Sequence, residues 1–96
     1  MKLKFKNGNS EYEVKNIIER KAFKGDVSGW LISFMLECDL NADEIDNLFS
    51  EDNISQLTVI NAESTRIING YDKVITLSVH YLPENTLVEV QLSKGL

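Results

Sequence analysis

The chain is expected to fold as a small α+β domain. One antiparallel, strongly twisted sheet system of six or seven strands would form a barrel or small sandwich, and one α-helix at about Asn41–Ser50 would cover an open end or face. Three observations predict this. Short segments alternate apolar and polar residues with a period of two. A single segment switches to a period near three and a half. Glycine- and asparagine-rich turns separate the segments. The length, 96 residues with 43% apolar and 26% charged side chains, fits one domain spanning 1–96 with one core. A chain this short has little surface to spare for a deep catalytic cleft, so binding is expected rather than catalysis.

The first strand covers Lys2–Lys6, with Leu3 and Phe5 on one face. Glu11–Lys15 repeats the pattern with Tyr12 and Val14, and Asn7-Gly8-Asn9-Ser10 between them is hairpin chemistry. Ile17 and Ile18 extend the second strand. Gly25-Asp26-Val27-Ser28-Gly29 is read as the turn before the strongest strand, Trp30–Cys38, which is placed centrally. There Trp30, Ile32, Phe34, Leu36 and Cys38 make one wholly apolar face, and Leu31, Ser33, Met35 and Glu37 make the other.

Leu40–Phe49 is the helical segment. Asn41 is a good N-cap, Glu44 three residues later completes a capping box, and Leu40 is placed to staple onto Ile45. Ile45, Leu48 and Phe49 form the stripe to be buried, and Asp43 and Glu44 suit the positive end of the helix dipole. From Ser55 the period returns to two, through Leu57 and Val59, then Ile67, then Val74–Tyr81 with Ile75, Leu77, Val79 and Tyr81 on one face, then Leu87–Leu92. Asn69-Gly70 is read as a kink or bulge within a long strand in preference to a tight turn. Pro83-Glu84-Asn85 is a turn that closes the last hairpin.

Charge is unevenly distributed. The net charge is -5, but the first 24 residues carry seven basic and three acidic side chains, and the remainder three basic and twelve acidic. Glu37–Asp52 holds seven acids and no base. The balance disfavours direct nucleic-acid binding and favours a protein partner. Two readings of the acidic stretch stand, a solvated helix face and a surface for a basic partner, and on the second Asp43, Asp46, Glu51 and Asp52 are the candidate partner-binding residues. Phe23, between Lys21 and Lys24, breaks the alternation and is either a core residue or an interface anchor.

No catalytic, cofactor or metal site is expected. Asp39-x-Asn41-x-Asp43 imitates the start of a calcium loop, but its sixth position is Glu44 instead of glycine and its twelfth is Ser50 instead of glutamate. Cys38 and His80 are the only thiol and imidazole. The first is read as a buried inert thiol and the second as an exposed strand residue, with nothing to pair them. A lone cysteine forms no internal disulfide, Met1–Lys6 lacks the apolar run of a signal peptide, and Trp30–Leu36 is too short to span a bilayer. Cytoplasmic synthesis without membrane association is therefore expected, and the sequon Asn53-Ile54-Ser55 is read as chance.

The LNADEIDNLF helix at Leu40–Phe49, the following Ser55–Ile60 strand, the Thr65–Tyr71 segment with its Gly-Tyr pair, and the final VEVQLSKG stretch resemble small β-rich accessory and structural proteins of Gram-positive phages and prophages. The resemblance covers most of the chain; Arg20–Trp30 lies outside the pattern. It implies a non-catalytic virion component of tail, baseplate or head, made in the host cytoplasm and carried into the virion. Such a component would work through protein contacts, as a homo-oligomer or within a larger assembly. The alternative is an acidic phage-encoded inhibitor that occupies a host nucleic-acid-binding protein. The resemblance carries no catalytic residues.

Overall fold

A computed structural model describes residues 1–96. The strands are β1 (Lys2–Phe5), β2 (Glu11–Lys24), β3 (Val27–Cys38), β4 (Gln56–Ile60), β5 (Thr65–Asn69), β6 (Lys73–Tyr81) and β7 (Thr86–Lys94), with α1 (Ala42–Leu48) and α2 (Glu51–Ile54) between β3 and β4. All seven strands join one sheet in the order β5-β4-β1-β2-β3-β7-β6, and every pairing is antiparallel.

The expected hairpins at Asn7–Ser10 and Pro83–Asn85 form as read. Gly8 takes φ +105 in the first, and the Leu82 N–H donates to the Asn85 carbonyl at 2.9 Å in the second. Between β2 and β3 the turn is shorter than Gly25–Gly29. Lys24 pairs with Val27, so only Gly25 and Asp26 turn, and Gly25 supplies φ +64 at the first central position. The second strand, read as Glu11–Lys15 with an extension through Ile17 and Ile18, runs on to Lys24, and β3 begins at Val27, three residues before Trp30.

That long strand is possible because of a bulge. Lys15 pairs with Met35 and Ile18 with Ser33, so Asn16 and Ile17 together face the single residue Phe34. Asn16 has φ 58, the only positive φ outside glycine, and asparagine tolerates that region better than most residues. The extra residue switches which positions face inward. Tyr12 and Val14 do so before the bulge and Ile17 and Glu19 after it, and Lys21 and Phe23 continue the Ile17–Glu19 face into exposed positions. A second bulge at Ile75, between Val74 and Thr76, removes Ile75 from the face it was expected to share with Leu77, Val79 and Tyr81 and leaves it exposed.

The expected single helix is two. Phe49 ends α1, Ser50 is extended, and α2 restarts at Glu51. Ile45, Phe49 and Ile54 lie in the same buried cluster as Leu3, Phe5, Val14, Phe34, Leu36 and Leu57. The Phe49 ring packs edge-on to Phe5 at 5.3 Å and stacks on Phe34 at 6.5 Å, which anchors the helical segment at the Cys38 end of β3.

Asn69-Gly70 is neither a kink inside a strand nor a hairpin turn. Strand β5 ends at Asn69, Gly70 takes φ +95 and donates its N–H to the Ser55 carbonyl, and β6 starts at Lys73. Gly70–Asp72 thus connects the two opposite edges of the sheet. Four Cα steps reach at most about 14 Å, whereas the outer strands of a flat seven-stranded sheet would lie about 29 Å apart. The sheet must therefore curl over itself, with β1, β4 and β5 lying across β3, β7 and β6 and the core between them. No ladder joins β5 to β6, so the curled sheet stays open.

Candidate interaction surfaces

The curl produces a polar seal at Tyr71, next to the C-terminal end of α2, where Gly70 donates to the Ser55 carbonyl. Tyr71 is fully buried, and its hydroxyl donates to Glu19 at 3.0 Å. Arg66 of β5 meets the same carboxylate at 2.8 Å. Lys94 of β7 sits 4.7 Å from the Tyr71 ring centroid and donates to the Asn69 carbonyl at 2.8 Å. Burial, and then the adjoining Glu19 carboxylate, push the Tyr71 hydroxyl well above its ordinary value, so it remains a neutral donor. Glu19 was not recognisable from sequence as part of a site, because only the bulge turns it inward.

Beyond this seal the β2–β3 hairpin overhangs the core. Phe23 is 74% exposed, Val27 51% and Trp30 40%. Of the two readings of Phe23, the exposed one is therefore what the fold presents, and Trp30, expected in the core, is only partly covered. Phe23 and Trp30 occupy the same face of the hairpin, with Lys21 opposite Trp30 and its ammonium 5.6 Å from the indole. Arg20, Lys21 and Lys24 make no ion pair within the chain.

Helix α1 defines the other pole. From Ser28, opposite Phe23, to Cys38, where the chain enters α1, ten residues of strand cover about 33 Å, and the molecule measures 44 Å along its longest axis. Phe23 and the α1 acids Asp43 and Asp46 are therefore at opposite ends of the β2–β3 hairpin, whereas Glu51 and Asp52 of α2 lie beside Tyr71. On α1 the capping box is complete: Asn41 Oδ1 accepts from the Glu44 N–H at 2.9 Å, and Glu44 Oε1 from the Asn41 N–H at 3.0 Å. Asn41, the middle residue of the calcium-like triplet, thus uses its oxygen in the cap.

Asp43, Asp46 and Glu51 are exposed and have no ion-pair partner. Asp52 is engaged within the chain. It accepts from Asn7 Nδ2 at 2.9 Å and pairs with Lys6 at 3.0 Å, and these two contacts hold its carboxyl below the ordinary aspartate range. Beside it, buried Asn53 accepts the Asn7 N–H at 2.7 Å and donates to the Leu48 carbonyl at 2.7 Å. The residue read only as a chance sequon therefore ties the β1–β2 loop to both helices. Next to this clasp lies a shallow cleft of about 320 Å³, walled by Tyr12, Leu40 and Leu48 and rimmed by Asn7, Glu44 and Asn47.

Elsewhere, a groove of about 460 Å³ crosses the outer face of the sheet beside both bulges, lined by Ile18 and Met35 with Ser33, Thr76 and Gln91. Cys38 is buried on β3, while His80 on β6 faces Glu89 at 3.5 Å, so the thiol and the imidazole are not brought together. No helix is long and apolar enough to cross a membrane. Comparison with protein-family models, curated proteins and solved structures finds no match to this chain.

Proposed function

We propose that this protein is a non-catalytic accessory or structural component of a Gram-positive phage or prophage virion, acting through protein–protein contacts. The observation that carries the reading is the overhanging hairpin tip, where Phe23, Val27 and Trp30 present apolar surface that the fold itself leaves uncovered. The pattern-level resemblance of the sequence to such proteins points the same way. The reading takes the curled sheet as a small barrel or sandwich whose β5 and β6 edges stay available to neighbours. It is tested by mass spectrometry of virions purified after induction of the strain that encodes it. Stoichiometric presence, at several copies per particle, is expected; absence from washed particles would overturn the reading.

A second reading is favoured by one specific observation, the unpaired acids Asp43, Asp46 and Glu51 on the two helices. An acidic inhibitor of a host nucleic-acid-binding protein would use them in place of a phosphate backbone. Reversal of all three to lysine would then abolish complex formation, and the complex would weaken steeply with salt because exposed charges are screened beyond about 8 Å at physiological ionic strength.

A further inference from the structure

We propose that copies of this chain associate head to tail, the Phe23 tip of one copy entering the Tyr12–Leu40–Leu48 cleft of the next. This inference deepens the reading as an assembly component and rests on it, in that contact between copies is its working mode. The two poles are opposite in charge, and one carries an aromatic knob where the other carries a cleft. The tip is an aromatic knob 74% exposed, flanked by Lys21 and Lys24, neither of which has an acidic partner in its own chain. The cleft sets Tyr12, Leu40 and Leu48 among the polar Asn7, Glu44, Asn47, Ser50 and Asn53, and α1, which forms one side, carries the unpaired acids Asp43 and Asp46 outside the lining. Its volume of about 320 Å³ is ample for one aromatic ring, since a cavity of roughly 150 Å³ accepts benzene.

The two surfaces lie at opposite ends of the β2–β3 hairpin, so their union joins different patches of two molecules. Such a heterologous contact propagates into a ring or an open chain. The arrangement also accounts for the lopsided charge of the sequence, because the basic hairpin of each copy meets the acidic segment of its neighbour and a lattice of copies alternates sign along its length.

Sedimentation equilibrium over a micromolar to submillimolar concentration range tests this, with circular dichroism to verify that each variant is folded. The wild-type mass is expected to rise past that of a dimer. Phe23→Glu should weaken association by about 30-fold or more, as loss of a central anchor does. Asn47→Arg, an exposed position that fills the cleft and places a cation on its rim, should do the same. Mixing the two variants is the decisive arm: each retains the surface the other lacks, so the mixture should form a one-to-one dimer although neither associates alone. A monomeric wild type, a wild type that stops at the dimer, an unaffected Phe23→Glu, or a mixture that fails to pair would overturn the proposal. Virion incorporation without self-association would sink this inference alone; self-association of a chain absent from virions would sink the proposed function alone.

Discussion

At the scale of single residues, Asn41 and Asn53 of the helical segment do different work and should be separable by mutation. Asn41 caps α1 from an exposed position, so Asn41→Ala should cost about 1 kcal/mol. Asn53 is buried, and its loss strands the Asn7 N–H and the Leu48 carbonyl together. Asn53→Ala should therefore cost about 2–4 kcal/mol. Urea denaturation of both variants checks the order, and equal effects would mean that water replaces the Asn53 bonds. The reverse sign is expected at Ser93, whose hydroxyl is buried without a hydrogen-bond partner. Ser93→Ala should be neutral or stabilising by about 1 kcal/mol, because an orphaned polar atom is removed and nothing is left unpaired.

At the scale of elements, β2 is decided by its bulge. Asn16 at φ 58 can be replaced by glycine with little change in stability. Asn16→Val should lower stability by about 1–2 kcal/mol, since a β-branched side chain resists the left-handed region. A thermal melt of the pair measures the difference, and an undisturbed valine variant would mean that the bulge moves along the strand at no cost. The latch between the β1–β2 loop and α2 is instead pH-dependent. Asp52 has a depressed carboxyl value in the folded chain, so its contribution is present above the unfolded value of about 4 and is lost as pH falls through the lower folded value. The Asn7 amide resonances should shift in that acid window in the wild type and stay fixed in Asp52→Asn.

For the whole molecule, the seal formed by Glu19, Arg66, Tyr71 and Lys94 is what ties one half of the curled sheet to the other. Glu19→Ala leaves a buried tyrosine hydroxyl without its acceptor and releases Arg66, at a cost of about 2 kcal/mol. The loss should be local first. Hydrogen exchange of the β5 amides is expected to accelerate ahead of those in β3, which is paired on both sides. Uniform acceleration would mean that the curl is held by the apolar core alone.

Local physics made several elements legible from the chain alone. Leu3 and Phe5, the even residues Ile32–Cys38, and Val88, Val90 and Leu92 alternate cleanly, because each lies on a strand with one face buried. The Asn41–Glu44 box and the Asn-Gly and Pro-Glu-Asn turns are contacts within four residues, so sequence alone determined them. The same locality put the acids Asp43, Asp46 and Glu51 on exposed helix positions. What sequence could not decide depends on distant partners. Glu19 occupies an inward position that looks wrong for a strand until Arg66 and Tyr71 arrive to meet it, and Lys21, exposed on the same face, meets Trp30. The exposure of Phe23 follows from β2 and β3 outrunning the short β1, β4 and β5, and Gly70 joins two sheet edges that only the curl brings together. Alternation and capping are properties of a few neighbouring residues, whereas which inward-facing side chain is covered is settled by strands 50 residues away, and that only the tertiary structure decided.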